Sequence, residues 1–122
     1  NWMEKNKADY TNTFCYLMNI KTNNYEIYNN KDYFNWSSRW KKRILINNNS
    51  KDKSLNLMKK SNPIVIPRNH KIEEALKAAN KNNVEPMNKL LSILSKPYKN
   101  QISIEDFQSP SNNKEYQTFC GT

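Results

Sequence analysis

A single glycine, Gly121, serves the whole 122-residue chain, and it stands next to the last residue. Glycine is what lets a backbone take positive φ at no steric cost or lie close against a phosphate. The first 120 residues therefore hold no P-loop, no Gly-rich dinucleotide turn and no Gly-x-Ser-x-Gly nucleophile elbow. One histidine, His70, and two cysteines, Cys15 and Cys120, are too few for a zinc site built from two cysteines and two histidines or from four cysteines. Two cysteines so far apart in sequence are no disulfide scaffold, and a reducing compartment is the simpler expectation.

Asparagine is in excess at 22 residues, often in runs such as Asn47-Asn48-Asn49 and Asn82-Asn83. With lysine it reads as polar surface and loop, not as a prion-like tract. The apolar share, 36%, is low for a globular chain, but three Trp, seven Tyr and four Phe supply buriable area. The length suits one small domain or a piece of a larger one. Twenty Lys and Arg against eleven Asp and Glu give a net charge of +9. The longest aliphatic runs, Ile44-Leu45-Ile46 and Ile64-Val65-Ile66, fall far short of the ~20 residues of a membrane span, so no membrane partner is expected. No signal-peptide pattern is present, and Asn1-Trp2-Met3-Glu4 reads as the inside of a helix, which suggests a processed product or a fragment.

Periodicity predicts an all-α fold, a single layer of packed helices with an αα-hairpin and a long extended C-terminal tail. Trp2, Met3, Tyr10, Phe14, Leu17 and Met18 recur at helical spacing over 2–18, with a break near Ala8 if Asp9 caps a second piece. Asp32 or Asn30 suits the start of a helix over 32–46, whose apolar stripe is Tyr33, Trp36, Trp40 and Ile44. A loop over 47–53 precedes a short helix over 54–60. Asn62-Pro63 starts a turn, and Ile64 to Pro67 is extended because a residue before proline avoids the helical region. Ile72, Ala75, Leu76 and Ala79 define a face of a helix over 70–80. After the tight link Lys81-Asn82-Asn83, Asn83 can cap a helix that holds Pro86 in its first turn and Met87, Leu90, Leu91 and Leu94 on one face. So short a link makes the two helices antiparallel. Pro97 ends the second. Residues 1–96 thus form the helical part and 97–122 the tail, with Ile102, Ile104, Phe107 and Phe119 as its anchors.

The basic cluster Arg39, Lys41, Lys42 and Arg43 flanks Trp36 and Trp40. It reads either as a phosphate or RNA contact with aromatic stacking, or as a solvated face over a buried Trp stripe. Arg68 follows a proline-bounded extended segment that would hold it in one direction. It could pair with a carboxylate, anchor backbone carbonyls or bind a phosphate. His70 reads as a helix-start residue with no nucleophile placed beside it. Glu73 and Glu74 are neighbours on a helix, point in different directions and form no dyad. Cys120 is either an accessible, reactive thiol or a passive tail residue. Cys15, near an apolar face, reads as buried and inert.

Several segments together resemble the C-terminal region of the selenoprotein O (YdiU-like) family of protein adenylyltransferases. Asp9-Tyr10-Thr11-x-x-Phe14-x-x-Leu17 is similar to the family's Asp-Tyr-Thr-x-x-Phe-Arg-x-Leu, and Trp40-Lys41-Lys42-Arg43-Ile44-Leu45 to its Trp-x-x-x-Tyr-Arg-x-Arg-Leu helix. The most specific match is Asn62-Pro63-x-x-x-x-Arg68-Asn69. An Ala-rich helix with Glu74, Ala75, Ala78 and Ala79 follows, then Leu90-Leu91-x-x-Leu94-x-x-Pro97-Tyr98. The ending Cys120-Gly121-Thr122 resembles the family's Cys-Ser-Ser or selenocysteine-Ser-Ser. Four departures stand out. Cys15 replaces an Arg, Asn82-Asn83 replaces Gly-Asp, a Pro-Pro-x-Trp after Ser109-Pro110-Ser111 is missing, and Gly-Thr replaces Ser-Ser.

The resemblance implies a kinase-like parent that moves AMP from ATP to Ser, Thr or Tyr hydroxyls of proteins with magnesium. It places the ATP lysine, its glutamate and the metal-binding Asp and Asn upstream, so this chain is expected to hold no cofactor and no catalytic residue. It implies a redox role for Cys120, whose partner in the family lies outside this chain. Asn62, Pro63, Arg68 and Asn69 are expected to be structural. The implied partners are the upstream kinase-like domain and the parent's protein substrates, in the bacterial cytoplasm or the mitochondrion. The alternative is a stand-alone or repurposed basic module, binding RNA or a large protein assembly through Arg39, Lys41, Lys42 and Arg43.

Overall fold

A computed structural model describes residues 1–22, 26–48 and 50–112. Among them are seven α-helices, one 3₁₀ turn and no strand. The chain runs α1 (Trp2–Lys5), α2 (Tyr10–Leu17), the 3₁₀ turn Glu26–Asn29, α3 (Lys31–Asn48), α4 (Lys51–Ser61), α5 (Asn69–Asn80), α6 (Glu85–Leu94) and α7 (Glu105–Gln108).

Side-chain caps mark the starts of the first four helices, and α5, α6 and α7 begin without one. Asn1 does not lie inside a helix: its side chain accepts from the Glu4 N–H and caps α1. The break near Ala8 is real, with Lys7 at φ 48° and Asp9 accepting from the Asn12 N–H at 2.9 Å to start α2. Asn30, not Asp32, caps α3 by accepting from the Tyr33 N–H at 2.8 Å. Ser50 caps α4, which therefore begins three residues earlier than the apolar pattern indicates. Val84, not Asn83, is the cap residue of α6 and offers no side-chain bond; Asn83 stands one residue earlier and accepts from the Glu85 N–H at 3.3 Å, and Pro86 lies in the first turn.

The scarcity of glycine leaves a signature. Positive φ falls on Lys7, Asn19, Asn82 and Ser103. Asparagine tolerates this region better than other side-chain-bearing residues, because its short amide can bond locally. Asn82, at φ 62°, thus turns the chain between α5 and α6.

Two clusters make the core. Cys15, Met18, Ile64, Val65, Ile93 and Ile104 form one, with Met58, Leu94 and Phe107 packed against it. Trp2, Tyr28 and Tyr33 form the other, with Tyr16, Ile27 and Trp36 against it. Trp2 is its hub, with ring centroids 5.8 Å from Tyr28, 5.1 Å from Tyr33 and 5.3 Å from a stacked Trp36. Burial pushes the Tyr28 and Tyr33 hydroxyls up to about 12. α5 packs on α6, and α3 on α4.

Four expected apolar positions face solvent instead: Tyr10 at 66%, Leu76 at 49%, Leu91 at 57% and Ile102 at 94% exposure. For Leu76 the reason is register. Ala75, one position earlier, faces α6, where its small side chain allows close approach. Ile102 yields its place to Ile104, which enters the main cluster as the chain turns into α7, a helical turn inside the tail. Phe119 lies outside the described residues.

Cys15 is fully buried, and burial first, then the nearby Asp9 charge, pushes its thiol up to about 11. Iodoacetamide at pH 7.5 is expected to leave Cys15 unmodified in the folded protein and to label it in urea, as peptide masses would show.

Candidate functional site

The extended segment after Asn62-Pro63 organises the polar site. Ile64 and Val65 are buried in the main cluster, so their peptide groups need partners that no sheet provides. The Ile64 N–H donates to the Pro97 carbonyl at 2.8 Å. The Ile64 carbonyl accepts from Gln108 Nε2 at 2.7 Å, and from the Cys15 thiol with Sγ at 3.9 Å. Asn62 anchors the start of the segment, with its Nδ2 donating to the Met58 carbonyl at 3.0 Å at the end of α4. Pro63 is half-buried, and Asn69 is the exposed first residue of α5.

Arg68 ends the segment and meets Asp9. Nη1 donates to Asp9 Oδ2 at 2.7 Å and Nη2 to Asp9 Oδ1 at 2.9 Å. The two side chains are 12% and 14% exposed, which removes this pair from the class of solvated surface bridges. Nη2 also donates to the Gln108 carbonyl at 3.0 Å, which Asn12 Nδ2 reaches from α2 at 3.1 Å. One guanidinium thus joins the start of α2, the start of α5 and the end of α7. Both terminal nitrogens are engaged by protein acceptors in a forked geometry that suits Arg and not Lys.

Burial works against the charge on Asp9, but the Arg68 hydrogen bonds, the Asn12 N–H and the Arg68 charge outweigh it, so the carboxyl titrates below its ordinary value. The sign follows. As pH falls, the unfolded chain takes up the proton first, near the ordinary ~3.9. The pair's stabilisation is whole at pH 5 to 7, shrinks as pH drops through the low 4s and is gone once the folded carboxyl protonates. His70, half-buried and near Lys71 and Arg68, also titrates below its ordinary value. It adds a smaller loss beginning below about pH 6.5. Urea midpoints measured from pH 7 to pH 3 are expected to show the acid-side fall in the native sequence and a flatter profile in Asp9→Asn.

The other expected site residues lie elsewhere. Arg39, Lys41, Lys42 and Arg43 are all exposed on α3, away from the Arg68 joint. Trp36 is stacked on Trp2, and Trp40 is half-buried beside α4. Cys120 lies outside the described residues. Among the described residues, no cluster of three His, Cys, Asp or Glu could hold a metal ion, and no helix is long and apolar enough to cross a membrane.

Sequence reasoning singled out Arg68 but not its partners Asp9 and Gln108, nor the Asn12 side chain that shares the Gln108 carbonyl with it. Asp9 carried a signal, since a cap position leaves one carboxylate oxygen free for a second partner. Gln108 carried none, being a lone polar residue in a segment without period.

Among the described residues this is an all-helical module tied together by a part-buried, forked ion pair. Residues 1–95 match the family model described as protein adenylyltransferase SelO, and the chain belongs to that family. It is 49% identical over its whole length to a protein nucleotidyltransferase YdiU of Pelagibacter ubique, of which it covers 26%. Proteins of the same description from Bacillus mycoides and Nitrosococcus oceani are 42% and 41% identical over 98% and 99% of the chain, which covers 25% of each. The chain therefore spans about a quarter of the length of these curated relatives. All three are bacterial, and none lends support to the mitochondrion as the compartment. No solved structure matches the chain.

Proposed function

We propose that this chain is the C-terminal helical portion of a YdiU-type protein nucleotidyltransferase of the bacterial cytoplasm. The whole enzyme would move AMP from ATP to Ser, Thr or Tyr hydroxyls of proteins. Its upstream kinase-like domain would hold the ATP and magnesium. The present portion would brace that domain without contributing to the transfer, and Cys120 would act as its redox element. The observation that carries this reading is the 49% identity with a YdiU relative along the entire chain, over only 26% of that relative. The joint at Arg68 supports a bracing role, because it spends the chain's most specific motif on holding α2, α5 and α7 together.

The test is transfer of label from α-labelled ATP to protein by the full polypeptide and by residues 1–122 alone. Magnesium-dependent labelling by the full polypeptide and none by the shorter chain is expected. Labelling by the shorter chain would overturn the bracing role, and none by either would overturn the activity. A Cys120→Ser variant whose activity follows the glutathione redox ratio as the native protein does would remove the redox role.

One observation favours a second reading, a basic module for RNA or a large assembly: all four cations Arg39, Lys41, Lys42 and Arg43 are exposed on one helix. RNA affinity that falls steeply with salt and drops in Lys41→Glu/Lys42→Glu would support it. Unchanged binding in that variant would sink it.

A further inference from the structure

The charge of this chain is concentrated. The α3–α4 hairpin, residues 31–61, holds nine Lys and Arg against two Asp, which is seven of the nine net positive charges. Between the two helices lies a groove of about 240 Å³. Leu17, Trp40, Ile44 and Leu55 line it, and the exposed Lys41 and Lys51 stand beside them. Leu45, also at the groove, is 46% exposed, and Ile46 and Leu57 on the same hairpin are 79% and 63% exposed. Apolar surface at this density, framed by one sign of charge, is a docking face.

From this placement we infer that the α3–α4 groove seats an acidic, amphipathic helix belonging to the part of the same polypeptide that lies outside this chain. The inference rests on the reading of this chain as one portion of a longer nucleotidyltransferase. Two observations select the occupant. The curated relatives are about four times as long as this chain, so most of their length is available to cover the hairpin. The seven uncompensated positive charges call for a partner with acidic residues flanking its apolar anchors. A groove between two helices takes a helix through anchors at i, i+3 and i+4. RNA fits less well. Binding a run of bases takes successive exposed rings, and among the described residues Phe34 is the hairpin's only aromatic ring more than half exposed.

The full polypeptide is treated with a water-soluble carbodiimide, which condenses lysine amines with carboxylates they touch, and the linked peptides are mapped by mass. The expected result is a link from Lys41 or Lys51 to an Asp or Glu preceding Asn1, lost at 0.5 M salt, where exposed charges are screened. Hydrogen exchange across residues 40–55 of the full polypeptide is the second readout. Lys41→Glu/Lys51→Glu is expected to speed it tenfold or more, and Lys59→Glu/Lys60→Glu, the same charge change away from the groove, less than twofold. Links confined to residues 1–122, or equal acceleration by both variants, would overturn the inference. So would binding of a labelled 20-nucleotide RNA that Lys41→Glu/Lys51→Glu abolishes. AMP transfer by the same native preparation separates the two claims. Transfer without the link defeats the groove alone, and the link without transfer defeats only the activity.

Discussion

Replacing Arg68 with alanine is expected to cost about 3 kcal/mol of unfolding free energy and, in a chain this small, to lower the melting temperature by about 10 °C or more. Most of that loss comes from what the change leaves behind. Asp9, 14% exposed, would keep its charge without its partner, and the Gln108 carbonyl would lose one of two donors. Arg68→Lys is expected to recover only part, because one ammonium cannot reach both carboxylate oxygens and the carbonyl in fork geometry. The double change Asp9→Asn/Arg68→Met should be milder than Arg68→Ala, since it removes both charges, keeps a side-chain oxygen to cap α2 and fills the space of the guanidinium. A thermal melt of the three variants checks this. A loss below about 1 kcal/mol for Arg68→Ala would place the pair among ordinary surface bridges.

The second large effect is expected at Trp2. Trp2→Ala should cost about 3–5 kcal/mol, because the ring is 7% exposed and touches Tyr28, Tyr33 and Trp36 at once. The damage should stay local, with near-ultraviolet dichroism from the aromatic cluster collapsing. Trp2→Phe should cost much less. It keeps an aromatic face, and the indole N–H it deletes makes no hydrogen bond among the described residues. Equal losses for the two variants would show that the cluster depends on the exact ring and not on buried aromatic area.

The helices were legible because their apolar spacing and their breaks are written locally. Asp9, Asn30 and the tight link at Asn82-Asn83 each announce an end, and each lies within a residue or so of the observed boundary. The start of α4 was not, because Lys51, Asp52 and Lys53 carry no apolar residue and only the Ser50 cap marks it. Leu76 and Ile102 show a different limit. A periodic pattern says which residues share a face but not which neighbour needs room, and Ala75 and Ile104 won those places on fit. The polar joint was half legible. Arg68 stood out in its motif, but its partners Asp9 and Gln108 lie 59 and 40 residues away, and no local rule connects such positions.

The bond from Asn12 to the Gln108 carbonyl spans 96 residues, so the module cannot be finished until nearly all of it has been synthesised. At about 5–20 residues per second, Asp9 waits roughly 3–12 s on the ribosome for Arg68, and Asn12 roughly 5–20 s for Gln108. Through that interval the start of α2 carries an acid and an amide meant for burial with nothing yet to bury them. A premature stop between Arg68 and Gln108 would leave the Ile64 carbonyl without its shortest hydrogen bond and Arg68 with one acceptor fewer. Shortened products of the gene would then be marked as defective by their own unfinished centre, and quality-control proteases would have a physical reason to remove them.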